Sequence, residues 1–184
     1  DTAGNQTITA TDTVSPGING TSNTEAVKGG AATHLVVSIP GNGAAGTPGT
    51  VTVTALDAFG NVATGYTGTV HFTSTDSHAV LPANMTLTNG VGTFSETFDT
   101  LGSQTITATD TVHSTVTGTS NAETVTAGAA THFAVTLPAS GAAGTPGSVT
   151  VTALDAFGNV ATSYSGTVHF TSSDGLATLP ADMT

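Results

Sequence analysis

Five acidic side chains recur at a spacing of 98 residues: Asp57 with Asp155, Asp76 with Asp174, Asp99 with Asp1, Asp110 with Asp12, and Glu123 with Glu25. Carboxylates support three kinds of chemistry: ligating a hard cation, moving protons in hydrolysis, and accepting main-chain N–H groups in turns. Ca2+ collects about six to eight oxygens from carboxylates and backbone carbonyls. The candidate Ca2+ ligands are Asp57, Asp99, Asp110 and Glu123, the last close to the junction "TAGAATH". No dense Asp-x-Asp cluster is present, so the expectation is that these acids cap turns or face solvent. Ca2+ is the alternative, and no other cofactor is expected.

The remaining reactive residues are sparse. His34/His132 and His71/His169 also recur, but zinc needs three or four converging ligands and no close histidine pair exists. His71, between Val70 and Phe72, should face outward. Acyl transfer needs a nucleophile, a base and an orienting acid in contact, and nothing like a nucleophile elbow appears. Paired carboxylates that cleave glycosides converge only in three dimensions, yet the same acids in tandem tiles favour structural roles. The expectation is no enzyme. Thr105, Thr107, Thr109 and Thr111 form a one-faced ladder, read as ordinary strand propensity rather than an ice-binding array. Lys28 is the single cation of the chain, and its counterpart is Thr126. A lysine cross-link in every repeat is therefore absent. Sequons at Asn5, Asn19 and Asn84 have Ser103, Thr117 and Asp182 as counterparts, so no repeated N-glycan is encoded.

Composition narrows the partners. A net charge of −11 with one Lys and no Arg excludes a phosphate-binding surface, and so nucleic acid. An anionic bilayer surface would repel the chain, and no apolar run approaches the roughly 18–20 residues that span a bilayer. Cysteine is absent, which removes disulfides and thiol chemistry. A secreted β-protein without disulfides points to bacteria rather than to small eukaryotic secreted domains.

Sliding the sequence by 98 positions aligns Asp1–Gly30 with Asp99–Gly128 and Ala31–Thr86 with Ala129–Thr184 without gaps, the second alignment being about three quarters identical. The chain thus reads as the C-terminal part of one repeat (1–30), a complete repeat (31–128), and the N-terminal part of the next (129–184). The two partial repeats together lack only the counterpart of Leu87–Phe98. With no initiator Met at Asp1, the expectation is a slice from a longer periodic molecule.

Alternating apolar and small polar residues mark strands. Leu35, Val37 and Ile39 share a face; so do Val51, Val53 and Ala55, and Val70 and Phe72. Met85 and Leu87 precede Asn89-Gly90, a pair suited to a tight hairpin because both tolerate positive φ. Phe94 and Phe98 follow, then Ile106 and Ala108, and a last strand over about Thr119–Val125. Glu96 shares parity with Phe94 and Phe98. Either a bulge turns it outward, or it is an inward charge on an edge strand. About seven strands per repeat suit an all-β, immunoglobulin-like sandwich, here in tandem.

"VTVTALDAFGNVAT" occurs at Val51–Thr64 and again at Val149–Thr162. It is a strand followed by turn chemistry: Asp57, Gly60 and Asn61, repeated as Asp155, Gly158 and Asn159. The longer stretch "VTVTALDAFGNVATGYTGTVHFTSTD", with "GTFSETFDTLGSQTITATD" at Gly92–Asp110, resembles bacterial Ig-like repeats of the invasin and intimin type. That resemblance covers the complete repeat and both partial ones. It implies rigid extended rods on the bacterial surface, with ligand binding in a separate tip domain. The expected function is a structural extracellular repeat, part of a stalk, matrix protein or filament, whose partners are neighbouring repeats or other copies of itself. The alternatives are an adhesin-type module binding glycan, host protein or ice, and a filament subunit whose strands complete a neighbour's sandwich.

Overall fold

The computed structural model describes all 184 residues, and every regular element in it is a strand. Thr- and Val-rich runs with few long helix formers leave little else. No helix is long and apolar enough to cross a membrane. The chain forms two compact units, Asp1–Thr126 and Ala127–Thr184.

In the first unit, residues 31–126 contribute ten strands: β5 (His34–Ser38), β6 (Asn42–Ala44), β7 (Pro48–Leu56), β8 (Thr69–Ser74), β9 (Met85–Thr86), β10 (Val91–Thr97), β11 (Gly102–Gln104), β12 (Ile106–Asp110), β13 (Thr117–Thr119) and β14 (Glu123–Thr126). They build three sheets, ordered β10-β7-β5, β13-β12-β8-β9 and β11-β14-β6. All pairings are antiparallel except β14 with β6. The inward residues of the first two sheets, Leu35, Val37, Val51, Val53, Val70, Phe72, Ile106 and Ala108, join Leu87, Phe98, Val116 and Val125 in one core.

The expected last strand is broken in two. β13 pairs with β12 while β14 pairs with β11 and β6, so the chain changes sheets at Ser120-Asn121-Ala122. Asn121 makes the change possible. Its Nδ2 donates to the Ile39 carbonyl at 3.0 Å and its Oδ1 accepts the Ile39 N–H at 3.1 Å. A side-chain amide thereby replaces the missing ladder partner, satisfying groups that burial would otherwise penalise.

Asp1–Gly30 carries β1 (Gly4–Gln6), β2 (Thr9–Thr11), β3 (Asn19–Thr21) and β4 (Glu25–Val27). β1 pairs with β4 and β2 with β3, in the registers their counterparts β11, β14, β12 and β13 use. Burial differs sharply: Ile8 is 78% exposed, whereas its counterpart Ile106 is 0% exposed. Local pairing follows from local sequence, and burial follows from what packs on top.

The second unit shows the same separation. β15 (His132–Thr136) pairs with β16 (Thr150–Leu154) in the register of β5 with β7. Phe133 is 40% exposed, where its counterpart Leu35 is 4% exposed. Phe133 instead packs edge-on against Tyr164, with ring centroids 5.3 Å apart.

Candidate functional site

The residues that recur with the 98-residue period converge on the turn after β7. Asp57 Oδ1 accepts the N–H groups of Phe59 and Asn61, both at 2.9 Å. Its Oδ2 accepts Asn61 Nδ2 at 3.0 Å and, from 27 residues upstream, the Gly30 N–H at 2.8 Å. Gly60 has a φ of 83°, a conformation glycine adopts without cost. The Asn61 amide and the N–H donors hold the Asp57 carboxyl far below the usual carboxylate range.

Asn61 is gripped on its other side. Its Nδ2 donates to the Asp1 carbonyl at 2.8 Å, and its Oδ1 accepts the Ala3 N–H at 2.9 Å. The turn therefore holds two separate upstream segments: Gly30, and Asp1–Ala3.

The second unit repeats the clamp. Asp155 accepts Phe157 N–H and Asn159 N–H at 2.9 Å, Asn159 Nδ2 at 3.0 Å, and Gly128 N–H at 3.0 Å. Gly158 has a φ of 84°. Burial would raise the Asp155 pKa, but the bonds from Asn159, Gly128 and Phe157 outweigh it and the net shift is downward.

The other acids are held in similar ways. Asp76 accepts four hydrogen bonds, from the N–H groups of His78, Asp99 and Thr100 and from the Thr100 hydroxyl. Asp110 accepts the Tyr66 hydroxyl and the N–H groups of Val112 and His113 at 2.7 and 2.8 Å. Burial and this carboxylate raise the Tyr66 pKa. Gly68 makes the contact possible, since a Cβ there would strike both the Tyr66 ring and Asp110. An open cleft of about 850 Å3 lies beside this latch, with Gly30 and His113 on its wall. Alternation and turn signals do not reveal the latch, although Tyr66-x-Gly68 recurring as Tyr164-x-Gly166 is a visible signal of it.

Asn89 and Gly90 have φ of 52° and 77°, and Thr88 and Val91 exchange two hydrogen bonds across them. The histidines lie at the surface: His71 Nδ1 meets Asn84 Oδ1 at 2.9 Å, and His169 meets Asp182 at 2.7 Å. Thr107 with Thr119, and Thr109 with Thr117, bond hydroxyl to hydroxyl across strands at 2.8 Å.

No three His, Asp or Glu side chains form a group able to hold a metal ion. Asp57, Asp99, Asp110 and Glu123 are thus not gathered into one cluster, and the oxygens of Asp57 and Asp110 already accept N–H and O–H donors. Glu123 differs. It is 4% exposed and lies near Glu96, which is 2% exposed. β10 runs opposite β7 without a break from Val91↔Thr54 to Thr97↔Pro48. No bulge turns Glu96 outward; it points into the interior from an edge strand.

Burial and the nearby Glu123 charge push the Glu96 pKa up to about 7, and burial raises that of Glu123. In metal-free buffer this has a definite sign. Between the ordinary value of 4.5 and about 7, the folded protein keeps a proton that the unfolded chain releases. Stability is then fully present below the ordinary value and falls as pH rises to about 7, by on the order of 2 kcal/mol. Glu96→Gln should reduce that decline to the part Glu123 contributes, as read from denaturation midpoints across pH 4 to 8.

No protein-family model and no curated protein matches this chain.

Proposed function

We propose that this chain is part of a tandem array of immunoglobulin-like β-sandwiches with a mechanical role, in an extracellular stalk, matrix protein or filament of a bacterium. The supporting observation is the clamp. In each unit an Asp-x-x-Gly-Asn turn carries a carboxylate that binds the linker N–H just before the repeat's first strand, Gly30 in one case and Gly128 in the other. A residue that recurs to fasten a linker serves a joint. Asn61 adds hydrogen bonds to Asp1 and Ala3, so one turn grips the linker and a second segment farther upstream.

The clamp also tolerates acid. Because the Asp57 pKa is depressed, its stabilisation is complete above the ordinary carboxylate value and is lost only as pH falls through the depressed one.

At array level the reading predicts linear growth. In small-angle scattering, chains of two, four and six repeats should increase in maximum dimension by a constant step per repeat. Collapse to a globule whose size grows with the cube root of mass would sink it.

The clamp has its own test, since Lys28 provides the only tryptic site in the chain. It lies two residues before the clamped Gly30. Asp57→Ala should raise the rate of cleavage after Lys28 by on the order of tenfold, because proteolysis follows the open population. Asp155→Ala should leave it unchanged.

A further inference from the structure

Glu96 and Glu123 are the only buried acids of the chain whose carboxylate oxygens are left without donors in this way. Both oxygens of Glu96 and Oε2 of Glu123 accept no hydrogen bond. The backbone is shaped to receive them: a Cβ on Gly43 would collide with the Glu123 carboxylate, and one on Gly49 with that of Glu96. Gly49 sits opposite Glu96 in the β10–β7 register, and Gly43 lies on β6, the parallel neighbour of β14. Two buried carboxyl groups are thus presented, one from β10 and one from β14. The single basic side chain of the protein, Lys28, is on the exposed linker.

Burying charge without a partner is costly, so the neutralising group must come from outside the chain. A proton on Glu96 would cancel one charge and supply a single O–H donor, leaving the second charge and the remaining oxygens unmet. A divalent cation meets both charges and takes several lone pairs at once. The donors are all oxygen, which selects hard cations over zinc or copper. Glu96, with both oxygens free, can bind in the bidentate manner common around Ca2+, whereas Mg2+ keeps a tighter octahedral shell rich in water.

We propose that the complete repeat binds one Ca2+ between Glu96 and Glu123, with main-chain oxygens and water filling the rest of its shell. The site sits inside the repeat, apart from the clamp at Asp57, and does not depend on the mechanical reading. One ion per chain is expected. Glu25, the counterpart of Glu123, is exposed, and the chain has no second copy of Glu96.

The test is calorimetric titration of the chelator-stripped 184-residue chain with CaCl2 and separately with MgCl2, alongside thermal melts. Wild type should bind about one equivalent of Ca2+ more tightly than Mg2+, and its melting temperature should rise by about 5 °C at saturating Ca2+. Glu96→Gln and Glu123→Gln should each lose the saturable heat and the shift. Glu25→Gln should keep both. Glu96→Gln should melt no lower than wild type in chelator, which separates loss of the site from loss of the fold. A wild type with no saturable heat and an unmoved melt at millimolar Ca2+ overturns the proposal and leaves Glu96 holding a proton. Equal binding by wild type and Glu96→Gln overturns it as well, since the ion would then lie elsewhere.

Discussion

Replacing Gly118 with alanine is expected to destabilise the first unit by about 3 kcal/mol or more, near the upper end of what overpacking costs. Gly118 lies in the middle of β13, where a Cβ would be driven into the main-chain carbonyl of Leu35 on β5. That obstacle is backbone in the centre of a strand and cannot rotate away, so β13 would have to lift off the core. Val116 and Leu35, both buried nearby, would lose contacts together. The chain contains its own control. Gly20, at the same place in β3, has open space where a Cβ would stand, with nothing within 4 Å, so Gly20→Ala should change stability by under about 0.5 kcal/mol. Urea denaturation followed by tyrosine fluorescence reads both, since the chain has two tyrosines and no tryptophan. Equal effects of the two substitutions would mean that β13 does not pack closely on β5 at the Leu35 carbonyl.

The second large effect is expected at Asp110. Asp110→Ala removes the acceptor for the Tyr66 hydroxyl and for the N–H groups of Val112 and His113. Leaving such donors unpaired costs about 1–3 kcal/mol each when they are buried. The loop between β12 and β13 is partly open, so a total of about 3 kcal/mol is expected. Tyr66→Phe deletes only the hydroxyl and leaves the two main-chain bonds, for a loss of roughly 1.5 kcal/mol. Near-identical losses would show that the latch to Tyr66, rather than the turn, is what Asp110 supplies. The sign with pH is also fixed. The Asp110 pKa is lowered because the bonds from Tyr66, His113 and Val112 outweigh burial. Its contribution is present above the ordinary carboxylate pKa and fades as pH falls through the lowered one.

Much of the β-structure was legible in the sequence because alternation is a local property. Leu35, Val37, Val51, Val53, Val70 and Phe72 declare their faces through their immediate neighbours, and the structure buries all of them. The pairing of β6 with β14 left no such trace. Asn42-Gly43-Ala44 has no apolar alternation, and its partner lies some 80 residues away. The Tyr66–Asp110 contact, 44 residues apart in sequence, was hidden for the same reason. Glu96 was legible in parity but not in consequence. Parity with Phe94 and Phe98 left a bulge and an inward edge charge both open, the unbroken β10–β7 register decides for the second, and the other carboxylate comes from another sheet. The candidate Ca2+ ligands divide along that line. Oδ1 of Asp57 and of Asp110 is filled by N–H groups of its own turn, whereas only long-range packing brings Glu123 close to Glu96. Ile8 and Ile106 state the limit most directly, since "QTITATDTV" surrounds both and only one is buried.

The parallel pairing of β6 and β14 has a consequence for a protein under tension. β6 lies near the start of the repeat and β14 at its end, so pulling on the two termini drags these neighbours in opposite directions along their common axis. Thr124, Val125 and Thr126 face Asn42, Gly43 and Ala44, and the Ala45 N–H adds a bond to the Thr126 carbonyl at 2.8 Å. These bonds lie across the line of pull and are loaded in shear. They must fail together, whereas a hairpin pulled open at its ends peels one bond at a time.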